Sequence, residues 1–161
     1  MMSHRTTSPL LRIRPAATQD GPRLADLNEQ LGYPASPEEV SARLIKILSL
    51  GAGAVFVGES DGIVAGWIEI HQRPPLLVDG GCEAEIMGLV VDARLRRSGL
   101  GRKLITQAEG WAQARGCRVL RVRTNVVRQD APAFYERLGF AKAKTQSVYK
   151  KAVANESGDN G

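Results

Sequence analysis

The chain is poor in cysteine, histidine and aromatic residues, and each shortage removes a class of protein. Cys82 and Cys117 are the only cysteines among 161 residues, too few for a disulfide-stapled scaffold and without a metal-binding spacing. They read as buried, reduced thiols of a cytosolic protein, and with only two histidines no metal site is expected. Aromatic residues make up 5% of the chain, which leaves no stacking platform for nucleic-acid bases. No apolar run approaches the ~18 residues of a membrane helix, and the N-terminus lacks a secretory apolar region. A cytoplasmic protein with neither membrane nor nucleic-acid partner is expected.

Acidic residues are also in deficit, 17 against 22 basic ones, for a net charge of +5 and a pI near 9.6. The length suits a single domain with its own core. Residues 1–9 read as a flexible leader, 10–153 as the domain and 154–161 as a polar tail. Leu10 to Arg14 is a short strand stopped by Pro15. A helix from about Asp20 carries Leu24, Leu27 and Leu31 on one face, and Gly32 closes it. The next helix opens with Ser36 as N-cap, Pro37 in the first turn and Glu39 completing a capping box.

Asp61-Gly62 between two β-rich runs predicts a hairpin, whose second strand reaches His71. A loop spans Pro74 to Gly81, and a strand runs from Cys82 to Asp92. After a glycine turn comes a helix to about Arg115, with Leu104, Ile105, Ala108, Trp111 and Ala112 on one face. Alternation from Arg118 to Val126 predicts a strand, and Asp130 reads as the N-cap of a helix ended by Gly139. Two last strands are expected around 140–145 and 147–153. The order of elements is that of an α/β domain with a mixed sheet.

The glycine turn is Arg96-Arg97-Ser98-Gly99-Leu100-Gly101, between the apolar strand and the amphipathic helix. Unpaired N–H groups and the macrodipole make such a helix start an anion site. A P-loop is excluded because Arg102-Lys103-Leu104 follows Gly101 instead of Lys-Ser or Lys-Thr. A dinucleotide fingerprint is excluded because Leu104 replaces its third glycine and Arg121 and Arg123 stand where its acidic residue belongs. An ordinary strand-to-helix turn with solvated arginines is the plain alternative. What remains, Arg-x-x-Gly-x-Gly after a strand, resembles the acyl-CoA loop of the GNAT superfamily of N-acyltransferases. The segment Tyr135-Glu136-Arg137-Leu138-Gly139-Phe140 is similar to a later helix motif of the same family.

The resemblance covers roughly residues 10–152 and implies a three-layer α/β fold. Its mixed, mostly antiparallel central sheet would be flanked by about four helices. It implies an acetyltransferase that uses acetyl-CoA, without a metal, and moves the acetyl group to a primary amine by direct attack in a ternary complex. The acceptor would be a small molecule or peptide, and the small-molecule group that includes aminoglycoside acetyltransferases is the nearest in general pattern. Dimers are common in the family, so a homodimer is open. The coenzyme's phosphates also account for the local basic patch.

The resemblance also implies site roles. Residues Arg96, Arg97, Ser98, Gly99, Leu100, Gly101 and Arg102 would hold the pyrophosphate, and strand residues Leu89, Val90 and Val91 the pantetheine arm. A backbone N–H near Leu89 or Val90 would stabilise the oxyanion. Glu85, eleven residues before Arg96, takes the position of a general base acting through water, with His71 in reserve. Tyr135 takes that of the general acid. Either Asn125 or Arg128 would reach the cofactor arm, since Arg128 stands where many members have Asn. Alternation places Glu83 beside Glu85, and Glu69 beside His71, as an acidic lining for a cationic amine. Arg121 and Arg123 default to solvated charge, the other readings being pairing with those acids or contact with an anionic part of the acceptor. A non-catalytic acyl-CoA-binding sensor is the alternative function, against which the presence of both Glu85 and Tyr135 weighs.

Overall fold

At the centre of the sheet the chain turns back on itself through Asp61 and Gly62. Both residues have positive φ, 49° and 82°, the geometry that matches the twist of a two-residue hairpin. In the computed structural model, which describes residues 8–73, 76, 81–124 and 130–154, this turn joins β2 (Gly53–Ser60) to β3 (Ile63–Gln72). With β1 (Leu11–Pro15), β4 (Glu83–Val91) and β5 (Val119–Val122) they form one sheet in the order β1-β2-β3-β4-β5. The first three pairings are antiparallel and β4 with β5 is parallel, so the sheet is mixed and mostly antiparallel.

Helices cover both faces, because the strands are apolar on both. One face, Val55, Val57, Val64 and Val90, packs on Leu24 and Leu27 of α1 (Gly21–Gln30) and on Val40 and Leu44 of α2 (Pro37–Ser49). The other, Phe56, Ile68, Ile70 and Ile86, packs on Leu100, Leu104, Ile105 and Ala108 of α3 (Leu100–Ala114). The short α4 (Ala131–Arg137) adds Phe134, Tyr135 and Leu138 to that second layer. Three layers with four helices result, as expected.

Local signals hold where they are strong. Ser36 and Glu39 form the reciprocal capping box of α2, with bonds of 3.1 and 3.0 Å. Arg14 forks the Asp20 carboxylate at 2.8 and 2.9 Å, tying β1 to the start of α1. That guanidinium, helped by the Ala17 N–H, holds the Asp20 carboxyl below its usual range.

Three expectations are corrected. Cys82 and Cys117 are not free thiols but a disulfide, with Cα atoms 4.4 Å apart. The parallel register of Glu83 with Val119 brings the two residues together, and a count of two cysteines carries no information on their proximity. Residues 140–154 form no strand: beyond Phe140 every residue to Ala154 is exposed. The run Ala141-Lys142-Ala143-Lys144-Thr145-Gln146-Ser147 offers little apolar surface to hold it against the body. Finally, β5 stops at Val122, and Asp130 precedes α4 without a side-chain capping bond. The expected leader up to residue 7 and the tail from residue 155 lie outside the described residues.

Candidate active site

The site starts where two strands part. β4 and β5 pair only from Glu83 with Val119 to Ile86 with Val122, whereas β4 continues to Val91. From Gly88 to Val91, β4 is therefore paired with β3 on one side and has no strand partner on the other among the described residues. A bulge lies at the start of this stretch: Ile70 pairs Ile86 and Glu69 pairs Gly88, leaving Met87 extra and exposed. Gly88 is required there, since a Cβ would come within 2.7 Å of the Trp67 ring. That ring is in turn fixed by its Nε1–H, which donates to Asn28 Oδ1 of α1 at 2.9 Å. The open edge includes Leu89, Val90 and Val91. Val90 is buried under the α1 and α2 layer, while Leu89 and Val91 pack toward α3, so only backbone is left to serve a ligand.

The loop after β4 is built by Asp92. Its carboxylate accepts from the Arg94 N–H at 3.0 Å, capping the 3-10 turn Ala93–Leu95, and from Arg23 Nη2 of α1 at 2.9 Å. These bonds, the Arg94 backbone first, overcome burial and hold the Asp92 carboxyl at about 2. Arg97 and Gly99 then turn left-handed with φ of 66° and 89°, and α3 begins at Leu100. The Leu100 N–H donates to Ser98 Oγ at 3.3 Å, and its side chain is fully buried, so Leu100 belongs to the core. Arg96, Arg97 and Arg102 are exposed around the loop. For the N–H groups of Gly101 and Arg102, no acceptor is found among the described residues. A Cβ on Gly101 would meet the Phe134 ring at 3.2 Å, which sets α4 directly against the loop.

The two residues expected to act in proton transfer stand on opposite faces of the sheet. Glu85 pairs across β3 with His71, whose ring lies over Gly53, and so shares the α1 and α2 face. Tyr135 packs into the α3 layer, its ring edge-on to Phe134 and Phe140 at centroid distances of 5.1 and 5.5 Å. The parting of β4 and β5 lies between these two layers. Asn125 and Arg128 lie outside the described residues.

Glu85 is buried and surrounded by guanidinium groups. Arg123 Nε stands 2.9 Å from its carboxylate, Arg121 Nε 3.8 Å and Arg73 Nε 3.9 Å. Arg73 also pairs Glu83 at 2.6 Å and Arg121 pairs it at 3.6 Å. Glu69 pairs with the His71 ring. The free acidic lining expected from the alternation is thus not formed: Glu83 and Glu85 do share a face, but β5 brings Arg121 and Arg123 onto the same face and matches them. Arg121 and Arg123 are therefore ion-paired instead of merely solvated. Arg73 is the member of this cluster that sequence reasoning missed, although the alternation Glu69, His71, Arg73 carried the signal.

Comparison with known proteins gives the family and the fold. A model of the acetyltransferase (GNAT) family matches residues 22–140. The chain belongs to the GNAT family. It is similar to an aminoglycoside N(6')-acetyltransferase type 1 of Serratia marcescens, 28% identical over 123 residues, which are 73% of this chain and 83% of that one. Its fold matches the aminoglycoside N-acetyltransferase AAC(6')-Iy solved in complex with CoA, with a TM-score of 0.81 and 20% identity over 92% of this chain and 99% of the other. It also matches glucosamine-6-phosphate N-acetyltransferase from Arabidopsis thaliana, with a TM-score of 0.75 and 23% identity over 88% and 98%. This GNAT protein is an acyl-CoA-dependent acetyltransferase with acetyl-CoA as its donor. Among the described residues no His, Cys, Asp and Glu cluster suits a metal, and no helix is long and apolar enough to cross a membrane.

Proposed function

We propose that this protein acetylates the primary amine of a small molecule by direct attack on the thioester of acetyl-CoA. The observation that carries the reading is the open edge of β4, with Glu85 on one side, Tyr135 on the other and the glycine loop at its end. The N–H groups of Gly101 and Arg102, for which no acceptor is found among the described residues, and the arginines around them suit a pyrophosphate. The bare β4 edge suits the amide-bearing arm, which can bond like an added strand.

In this reading Glu85 accepts the proton of the acceptor ammonium through a water, and the neutral amine attacks the thioester carbonyl. A backbone N–H near Leu89 or Val90 donates to the oxyanion, a contribution of about 2.7–4 kcal/mol when well aimed. Collapse expels the thiolate, to which the Tyr135 hydroxyl gives its proton, and the second proton that the attacking nitrogen sheds on becoming an amide restores the tyrosine. The names of the curated relatives support a small-molecule acceptor. The proposal includes a homodimer, supported by the outer edge of β5, which has no strand partner among the described residues, and by the exposed Val148, Tyr149 and Val153 of the segment after α4. Light scattering reads that directly.

The test is an acceptor screen with acetyl-CoA that detects released thiol. Turnover with one or more amines, lost in both Glu85→Gln and Tyr135→Phe, is expected. Full turnover in either variant overturns that residue's role, and tight CoA binding without any turnover overturns the catalytic reading.

A further inference from the structure

The arginines around Glu85 outnumber what two carboxylates need. Arg73, Arg121 and Arg123 stand within 3.9 Å of Glu83 or Glu85, three positive charges on two negative ones. The third acidic residue of this face, Glu69, is already paired with His71. A surface that selects a polycation offers free carboxylates; here Glu83 and Glu85 are both matched by guanidinium groups, which outnumber them by one.

The surplus has an address. Arg123 Nε stands 2.9 Å from the Glu85 carboxylate, and the Arg123 side chain remains 61% exposed. An exposed guanidinium presents parallel N–H donors that match the two oxygens of a carboxylate or phosphate. Arg121 and Arg73, bridging Glu83 and Glu85, hold the remaining charge beside it. An oxyanion on Arg123 would therefore be anchored on the residue that also touches Glu85.

We propose that the acceptor is an amine bearing an oxyanion, a carboxylate or a phosphate, and that Arg123 binds that group and so delivers the amine to Glu85. The inference rests on the acetyl-transfer reading above and names its acceptor class. It makes Arg123 a specificity residue, not a proton carrier.

The test uses matched acceptors with acetyl-CoA: ω-amino acids against their primary amides, ethanolamine phosphate against ethanolamine, and a polycationic aminoglycoside. The acid member of a pair should exceed its neutral partner in kcat/KM by about tenfold or more, the effect of one charge-assisted contact. The carboxylate and phosphate arms identify which oxyanion is used. Arg123→Gln should bring that ratio close to one by raising KM for the acid, and Arg123→Lys should restore part of it. A general loss of activity through Glu85 moves both members alike and leaves the ratio unchanged, so the ratio separates the roles. A wild-type ratio near one, preference for the polycation, or an unchanged ratio in Arg123→Gln overturns the inference while leaving acetyl transfer intact. If no amine of any charge is acetylated, the catalytic reading has failed. Calorimetry of the acids on CoA-loaded protein then decides the anion site, with Arg123-dependent binding supporting it and no binding overturning it.

Discussion

Arg23 of α1 donates to Asp92 across 69 residues of sequence, at 2.9 Å, while its Nε holds the Val64 carbonyl at 2.8 Å. One side chain thus joins the first helix, the third strand and the residue from which the glycine loop hangs. Because Asp92 is buried and also caps the turn Ala93–Leu95, the loop is fixed at its root before any ligand arrives.

This fixing is pH-dependent with a definite sign. The Asp92 carboxyl is held at about 2 in the folded protein against 3.8 ordinarily, by the Arg94 N–H first and then by the arginine side chains. A lowered folded value means stability that is complete above the unfolded value and lost as pH falls through the folded one. About 2 kcal/mol is therefore expected to disappear between about pH 4 and pH 2. Denaturant titrations over that range should show the slope in the wild type and a flatter one in Asp92→Asn. That variant should also cost about 1–3 kcal/mol at neutral pH, since it weakens bonds to a charged group.

Gly88 and Trp67 make a second joint. An alanine Cβ at position 88 would lie 2.7 Å from Trp67 Cη2 and 2.9 Å from Cζ3, and the indole cannot yield without losing Asn28. Gly88→Ala should cost about 1–3 kcal/mol and distort the β4 edge beside Leu89 and Val90. Adding Trp67→Leu removes the obstruction, so the double variant should lose less stability than the two singles summed. Additive losses in thermal melts would mean the ring does not set this geometry.

How far the sequence could be read follows from the range of each signal. The hairpin at Asp61-Gly62, the capping box at Ser36 and the left-handed Gly99 are local, and each lay where the residues put it. The face shared by Glu83 and Glu85 was equally legible, because alternation within a strand is local. Which cations would meet those carboxylates was not, since Arg73, Arg121 and Arg123 arrive through the β3–β4–β5 register. The same holds for the Cys82–Cys117 pair and for Arg23 with Asp92. The segment after Phe140 failed for a different reason. Its alternating small and charged residues satisfy a strand pattern, yet they supply little burial to hold it on the sheet.

The placement of Tyr135 separates a chemical role from a packing one. Its ring meets Phe134 and Phe140 edge-on, and its carbonyl accepts from the Phe140 N–H at 3.1 Å. Tyr135→Phe keeps the ring contacts and the backbone bond and removes only the hydroxyl. If the hydroxyl protonates the leaving thiolate, kcat should fall by about 10²–10⁴-fold with KM for acetyl-CoA nearly unchanged. A rise in KM at constant kcat would make Tyr135 a binding group instead.

The disulfide supplies the last prediction. It closes a loop of sequence separation 35 that contains the whole of β4, the glycine loop and α3, and it sits one residue before Glu83 and two before Val119, the first pair of β4 with β5. A closure of that length restricts the unfolded chain by about 3–4 kcal/mol in the chain-entropy model. A Cys82→Ser/Cys117→Ser variant, or the wild type in a strong thiol reductant, should therefore unfold at lower denaturant than the oxidised protein. The arginine cluster lies next to this crosslink on the same strand pair, so reduction should weaken acceptor binding more than acetyl-CoA binding, whose loop is anchored separately through Asp92. Paired measurements of KM for both substrates with and without reductant read this difference. Equal changes in the two would mean that the crosslink supports the whole domain and not the β4–β5 junction in particular.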